Sequence, residues 1–350
     1  MQERANVVVI GGGIAGLTAA LNLAQRRLHV TLVEREPALG GNVLTVCCKA
    51  IDGKCQLCGG CLLADRLAAV KEAPSIDVLL STTVTRAKRV DGGFSLQLSS
   101  PWAPATSAEA RAIILATGFD HVDAHTKGPY GYGVLPVVTT GEDMEKRLRR
   151  EGRAAYAGLD LKKVAFIQCV GSRDEHVGRG YCSQVCCRYA VRIARLLKSW
   201  YPQAEITVFK MDIQTSGRDF EATWQAAAKE GIRFVAGLPA VIRRSPDAER
   251  RATFIYDDIL AGKLSQDDFD LIVLSVGMQP RRDADHVAGL FGLNRDPYGF
   301  FATLDDEAGT LVPGLFIAGS CQAPRSIAES AAHAEKAAEA CYTYLQERGS

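Results

Sequence analysis

Three stretches of the chain predict an α/β fold built from two domains. The run "NVVVIGGGIAGLTAALNLAQRRLHVTLVE" at 6–34 reads as strand, glycine turn, helix, strand. A second block of the same kind opens at "KKVAFIQCVGS", 162–172. The run "GLFIAGS", 314–320, then carries a strand into a long helical pattern. Strand, crossover helix, strand is the signature of a parallel sheet. The chain starts in one domain, crosses to a second and returns. The expected division is 1–120 with 280–350 as the first domain and 121–279 as the second.

Each element has its own signal. "NVVVI" is a short apolar strand, "AGLTAALNLAQRR" places apolar residues at helical spacing, and "HVTLVE" is the next strand. A helix follows in "LLADRLAAVKEA", then strand-like runs in "DVLLST", "TVTRAKRV", "FSLQLSS" and "RAIILATG". The second block continues with a helix near "QVCCRYAVRIARLLKSW", a strand "EITVFK", a helix near "WQAAAKEG" and a strand "FDLIVLSVG". The final helix is "IAESAAHAEKAAEACYTYLQ".

Composition narrows the function classes. The chain has 350 residues, enough for two domains and a sizeable core. Its 41 Lys and Arg balance 40 Asp and Glu. That gives no electrostatic reason to expect nucleic acid or an anionic membrane surface. "KRLRREGR" reads as a solvated helix face. No apolar run reaches the ~18 residues that span a bilayer. The first five residues lead straight into a strand and leave no room for a signal peptide, so the expected location is cytoplasmic.

The chain has 11 cysteines, and nine fall in two groups. Cys47, Cys48, Cys55, Cys58 and Cys61 form the first; Cys169, Cys182, Cys186 and Cys187 form the second. Cys321 and Cys341 stand apart, and Cys341 reads as a small buried apolar residue on a helix. In a reducing compartment, clustered cysteines point to metal or redox chemistry. His29 and His333 read as packed or solvated side chains in a strand and a helix. No Ser-His-Asp or paired-carboxylate arrangement stands out.

Gly11, Gly13 and Gly16 give G-x-G-x-x-G directly after a strand and at the head of a helix. The first permits the tight turn, the second a close approach to a pyrophosphate, and the third the packing of helix on strand. The phosphates would sit on the helix N-terminus. Glu34 ends the second strand, placed to accept from a ribose hydroxyl.

Beyond this turn lie "EREPALGGN", "ILATG" and "GLFIAGS". These segments, in this order, resemble the FAD-binding domain of two-dinucleotide-domain flavoproteins, the thioredoxin reductase and glutathione reductase superfamily. The resemblance implies two Rossmann-like domains, noncovalent FAD and a homodimer. The implied FAD contacts are Gly11, Gly12, Gly13, Ile14, Ala15, Gly16, Glu34, Arg35, Gly40, Gly41 and Asn42. Val84, Ala116, Thr117, Gly118, Gly319, Ser320, Gln322 and Ile327 complete them. The superfamily has an aspartate where this chain has Ser320, whose hydroxyl can still donate to a phosphate or ribityl oxygen.

In that superfamily the second block binds NAD(P)H through a glycine turn of its own. Here the matching place reads "CVGSRDEH", with Cys169 at the first glycine position. The scaffold is kept and its ligand replaced. Cys169, twelve residues, Cys182, three residues, Cys186 and Cys187 supply the four thiolates a [4Fe–4S] cluster needs. Cys182 and Cys186 would share a face if both were helical. Zinc also accepts four thiolates, but the adjacent Cys-Cys pair is awkward for its usual spacing. "IQCVGSRD…YCSQVCC" and "GLFIAGSCQAPRSIAESAAHA" resemble the flavoprotein core of the heterodisulfide reductase A-subunit family, whose matching cysteines hold such a cluster. The chain has no ferredoxin-type C-x2-C-x2-C-x3-C-P run, and so resembles the core-only form of sulfur-oxidising bacteria.

The resemblance implies an electron-transfer subunit whose partners are other heterodisulfide-reductase-like subunits or a small electron carrier. The first cysteine group leaves three readings open. "CQLCGGC" with Cys47 or Cys48 could form a second cluster or metal site. Cys47 or Cys48 with Cys55 or Cys58 could form a redox dithiol, giving an NAD(P)H-dependent thiol/disulfide oxidoreductase. Or the thiols are free or structural. A flavin- or cluster-based sensor would need a DNA-binding or signalling segment, and none is visible.

Overall fold

A five-stranded parallel sheet forms the centre of each of two compact units. The computed structural model describes residues 6–214, 220–246, 251–304 and 307–348. The first unit comprises Met1–Leu44, Gly59–Asp120 and Gln279–Ser350; the second comprises Thr45–Cys58 and His121–Met278. Among the described residues no helix is long and apolar enough to cross a membrane.

In the first unit the strand order is Leu315–Ile317, Ala112–Leu115, Asn6–Ile10, His29–Val33, Ile76–Leu79. Val7, Val8 and Val9 have no exposed surface. An uninterrupted apolar strand is what a sheet covered on both faces requires. One face carries the helices Ile14–Gln25 and Ile327–Glu347, which meet through Ala19, Ala20, Ala334, Ala337 and Ala338. Ser326 and Glu329 close a reciprocal cap at the start of the last helix. Cys341 lies in this core, as its helical spacing predicts. The other face is covered by an antiparallel sheet of Thr83–Val90, Gly93–Ser100 and Ala103–Ala110, through Leu96 and Leu98. The strand Ala103–Ala110 has no counterpart among the sequence signals. It is exposed on both faces along most of its length, so pairing with Gly93–Ser100 holds it in place of apolar alternation.

In the second unit the order is Arg233–Ala236, Glu205–Lys210, Lys163–Val170, Leu271–Val276, Val138–Thr140. The helix Cys186–Trp200 packs Val191, Ala194 and Leu197 on one face. The hairpin Ala252–Asp258 and Lys263–Phe269 covers the other, where Phe254 and Phe269 stack at 4.7 Å and meet Phe209 edge-on.

The expected first segment, 1–120, is not continuous in space. Thr45–Cys58 belongs to the second unit. A buried ion pair explains why. Lys49, 2% exposed, places Nζ 2.6 Å from Glu145 Oε1, and the Cys47 N–H donates to Glu145 Oε2 at 2.7 Å. Burial pushes the Lys49 ammonium toward neutrality, and the Glu145 carboxylate more than reverses this. Lys49→Met would leave the carboxylate buried and unpaired, at a cost of about 3 kcal/mol or more. The expected result is a large fall in melting temperature, with Lys49→Met/Glu145→Leu restoring most of it.

Candidate functional site

The first unit gathers its glycine turns at the C-terminal ends of its strands. The backbone leaves Asn6–Ile10 through Gly11 and enters the helix at Ile14, with Gly13 as N-cap and no side chain capping the first turn. A Cβ on Gly11 would stand 2.4 Å from the Ala116 carbonyl oxygen, and one on Gly16 1.7 Å from that of Gly11. A Cβ on Gly13 would meet nothing within 4 Å. Two glycines are therefore demanded by the fold, and the third faces open space beside free helix N–H groups. That is the cradle a pyrophosphate needs.

The other candidates converge on this turn. Gly40 N–H donates to the Gly12 carbonyl at 2.8 Å, which ties the segment of Gly41 and Asn42 to the turn. Ala116 N–H donates to the Ile10 carbonyl at 2.8 Å, bringing Thr117 and Gly118 alongside. Gly319 lies against Ala15, and Ile327 heads the last helix. Glu34 is buried and accepts from Gly12 N–H at 2.6 Å and Glu36 N–H at 2.8 Å, each oxygen keeping a lone pair. Gln322 is buried with Oε1 lacking a partner among the described residues. Such an orphaned acceptor fits a ligand donor. Ser320 Oγ lies 3.1 Å from Ser330 Oγ. Arg35 pairs with Asp283 at 2.9 Å, and Val84, in the strand Thr83–Val90, packs on the core under the antiparallel sheet.

The strand-to-helix corner at Gly319 is held by a residue the sequence left without a role. Gly319 N–H donates to His333 Nδ1 at 2.9 Å. His333 is 6% exposed, and burial, aided by the Arg325 charge, pushes its pKa down to about 4. The unfolded chain therefore takes up the proton first, near 6.5. This stabilisation is complete above pH 6.5 and is lost as the pH falls from there toward 4. After allowance for solvent screening it amounts to about 2 kcal/mol. Thermal melts from pH 7 to 4 should show that loss, and His333→Asn should flatten it.

The second unit places its four cysteines near enough for their charges to act on one another. Cys169 sits in the strand Lys163–Val170, where the register with Leu271–Val276 shifts. Its φ is +59°, in the left-handed region that favours glycine. The twelve-residue connection folds into a small hairpin: Arg173 N–H donates to the Tyr181 carbonyl, and Asp174 and Arg179 exchange N–H bonds. Gly178 turns it at φ +69°, which returns the chain to Cys182. The expectation of a helical face shared by Cys182 and Cys186 is corrected. The helix begins at Cys186, because Gln184 adopts φ +60° and interrupts it. Gln184 N–H instead donates to Cys182 Sγ at 3.3 Å. Cys186 and Cys187 occupy the first turn of the helix, which has no side-chain cap.

These thiols act on one another. Burial, then Cys187 and Cys182, push the Cys169 thiol up to about 12. Burial and the other three thiols push Cys186 well above the ordinary thiol range. Among the described residues no group of three or more His, Cys, Asp or Glu stands ready for a single metal ion.

The first cysteine group does not gather in the same way. Cys47 is buried, and burial with the Glu145 carboxylate raises its thiol far above the usual range. A thiol so held is a poor nucleophile, so in a dithiol pairing that uses Cys47 the attacking thiol would be its partner, Cys55 or Cys58. Cys48, Cys55 and Cys61 are exposed, and Cys61 belongs to the first unit while the other four belong to the second. Leu57 N–H donates to Cys55 Sγ at 3.3 Å with Leu57 at φ +52°, the turn found again at Cys182 and Gln184.

Known proteins share this architecture and sequence. The family model of pyridine nucleotide-disulphide oxidoreductases matches residues 5–338. Thioredoxin reductase of Lactococcus lactis superposes with a TM-score of 0.63 at 20% identity, covering 98% of this chain and all of that one. That of T. acidophilum gives 0.60 at 18%, covering 97% and 99%. In sequence, an iron-sulfur A subunit of the CoB–CoM heterodisulfide reductase of Methanopyrus kandleri is 29% identical over 97% of this chain and 64% of its own length. The A subunit of the H2/formate:CoB-CoM heterodisulfide,ferredoxin reductase of Methanococcus maripaludis is 30% identical, over 95% and 63%. The chain thus spans less than two thirds of the length of these relatives. It belongs to the pyridine nucleotide-disulphide oxidoreductase family, as an FAD-type oxidoreductase similar to the A subunits of heterodisulfide reductases.

Proposed function

We propose that this chain is an electron-transfer subunit of a heterodisulfide-reductase-like complex, holding FAD in its first unit and one [4Fe–4S] cluster at Cys169, Cys182, Cys186 and Cys187. One observation carries the reading. By the resemblance a cysteine occupies the first glycine position of the nicotinamide turn; it has a left-handed backbone, and its charge acts on or is acted on by the three other thiols. Cys186 and Cys187 are buried and Cys169 is half-buried, and burial with the neighbouring thiols disfavours the charge on each of these three, which calls for a cationic centre to hold them as thiolates. FAD, when bound, exchanges electrons in pairs and a [4Fe–4S] cluster exchanges them singly. The chain's own part is to hold both and to supply the uncapped helix start at Cys186, whose N–H groups favour an anionic group. Gln168 Nε2 donates to Ser275 Oγ at 3.1 Å, both residues being buried, which ties the strand Lys163–Val170 to Leu271–Val276.

Substrate chemistry would lie on the partner subunits or a small electron carrier. The resemblance to the core-only form supports a role in sulfur oxidation. The deciding experiment is iron, sulfide and flavin analysis of protein purified without oxygen, together with an NADH oxidation assay. The reading expects about four iron per chain, FAD as the flavin, and no NADH turnover by the isolated protein. FMN or no flavin, or turnover of NADH without partners, would overturn it. The family resemblance further implies a homodimer, and light scattering at micromolar concentration should give twice the chain mass.

A further inference from the structure

A cavity of about 400 Å³ lies within the second unit, between the 51–57 loop and the helix Cys186–Trp200. Nothing in the FAD or cluster assignment uses it. Asp52, Lys54, Cys55, Gln56, Arg192 and Arg195 are among its lining residues. Its floor is fixed by Gln56, whose Nε2 donates to the Lys49 and Arg192 carbonyls while Oε1 accepts from Arg195 Nη1 at 3.2 Å.

The charges do not cancel. Arg195 is held by both carboxylate oxygens of Glu230. Asp52 opposes Lys54 in sign. Arg192 is left without a carboxylate: its Nη2 donates to the Leu57 carbonyl at 3.3 Å, its guanidinium lies over the Phe220 ring at 5.8 Å, and its Nε is buried without an acceptor among the described residues. Burial pushes the guanidinium pKa down, the mark of a cation short of a counter-charge. The loop is also strained where it closes the cavity. Leu57 has φ +52°, a conformation unfavourable for a leucine, and Asp52 has φ +48°. Strain of this sort is kept where the surrounding structure enforces it, and it concentrates at ligand sites.

We infer that this cavity binds a small molecule carrying a carboxylate, sulfonate or phosphate, whose oxyanion is taken by Arg192 and Lys54 with the Cys55 thiol at its side. Such a group supplies the counter-charge that the lining residue Arg192 lacks. Planar guanidinium donors suit an oxyanion, and Lys54 adds a point charge. The site does not depend on bound FAD or on a cluster, so its failure and theirs are separable.

The test uses Cys55 as a reporter and Cys48 as an internal control, because Cys48 is exposed on the same segment and does not line the cavity. Purified protein is treated, in parallel, with a dicarboxylate aryl disulfide and with neutral dithiodipyridine. The attacking thiolate displaces one aryl thiolate and forms a mixed disulfide, so each label is one exchange with nothing else consumed. Peptide mass mapping gives the Cys55 to Cys48 labelling ratio. The charged reagent should raise that ratio about fivefold over the neutral one, the effect of one partly screened charge contact. Inorganic phosphate at constant ionic strength should slow Cys55 and leave Cys48 unchanged. Arg192→Met should remove the preference and Arg192→Lys should keep part of it. Should Arg192→Met fail to fold, Lys54→Met on the loop should still reduce the preference. Equal ratios for the two reagents in the unaltered protein, or equal protection of Cys48 and Cys55 by phosphate, would overturn the assignment.

Discussion

Cys169→Gly should lose its iron and its reduced-state EPR signal while keeping its fold and its FAD. The position is already in the left-handed region, at φ +59°. A residue with a Cβ held there costs about 1–2 kcal/mol relative to glycine. Glycine therefore relieves strain, and the melting temperature of the iron-free variant should equal or exceed that of the iron-free unaltered protein. Alanine would remove the thiol but keep the strain, which makes it the poorer probe. Cys186→Ala in the first turn of the helix should lose the signal as well. The flavin should remain in both, because every candidate FAD residue lies in the other unit. Iron analysis, EPR and released-flavin absorbance read all three outcomes. If alanine at Cys55, Cys58 or Cys61 abolishes the signal and Cys186→Ala keeps it, the cluster belongs to the first cysteine group.

What the sequence shows of this fold is what is local in sequence. The strand Glu205–Lys210 has the bounds that "EITVFK" suggests, because six residues of apolar and β-favouring character are bounded by turn signals. The hairpin Ala252–Asp258 and Lys263–Phe269 is hidden, because Asp257, Asp258, Asp267 and Asp268 break the apolar pattern and Ile255 faces solvent. The helix Gly141–Glu151 reads as a charged, solvated segment, and most of it is one. Among its charged residues Glu145 is the buried one. It is buried against Lys49, 96 residues away, and no window of sequence contains both. The same holds for the site. The glycine turn and the four-cysteine spacing are short linear patterns and can be read directly. The left-handed Gln184 that delays the helix, and the cavity joining 51–57 to Arg192 and Arg195, arise only when distant segments meet.

Gly13→Leu should yield a folded protein with almost no flavin, less than about a tenth of one FAD per chain where the unaltered protein holds about one. Gly13 has φ −76° and ψ −175°, an extended backbone open to any residue. Its Cβ would meet no atom within 4 Å. The fold therefore accepts the side chain, and the only loss to stability is that of a poorer N-cap, about 1 kcal/mol. The open space beside Gly13 is also the space in front of the uncapped helix N–H groups. An isobutyl group there displaces the phosphates that those donors and the helix dipole would hold. Gly16→Ala gives the contrasting result. Its Cβ would fall 1.7 Å from the Gly11 carbonyl oxygen, so helix and strand must move apart and the first unit should melt at a clearly lower temperature. Melting followed by circular dichroism separates the two variants by stability, and absorbance after acid release separates them by flavin. A Gly13→Leu protein that keeps its full flavin would show that the pyrophosphate is not held at this turn.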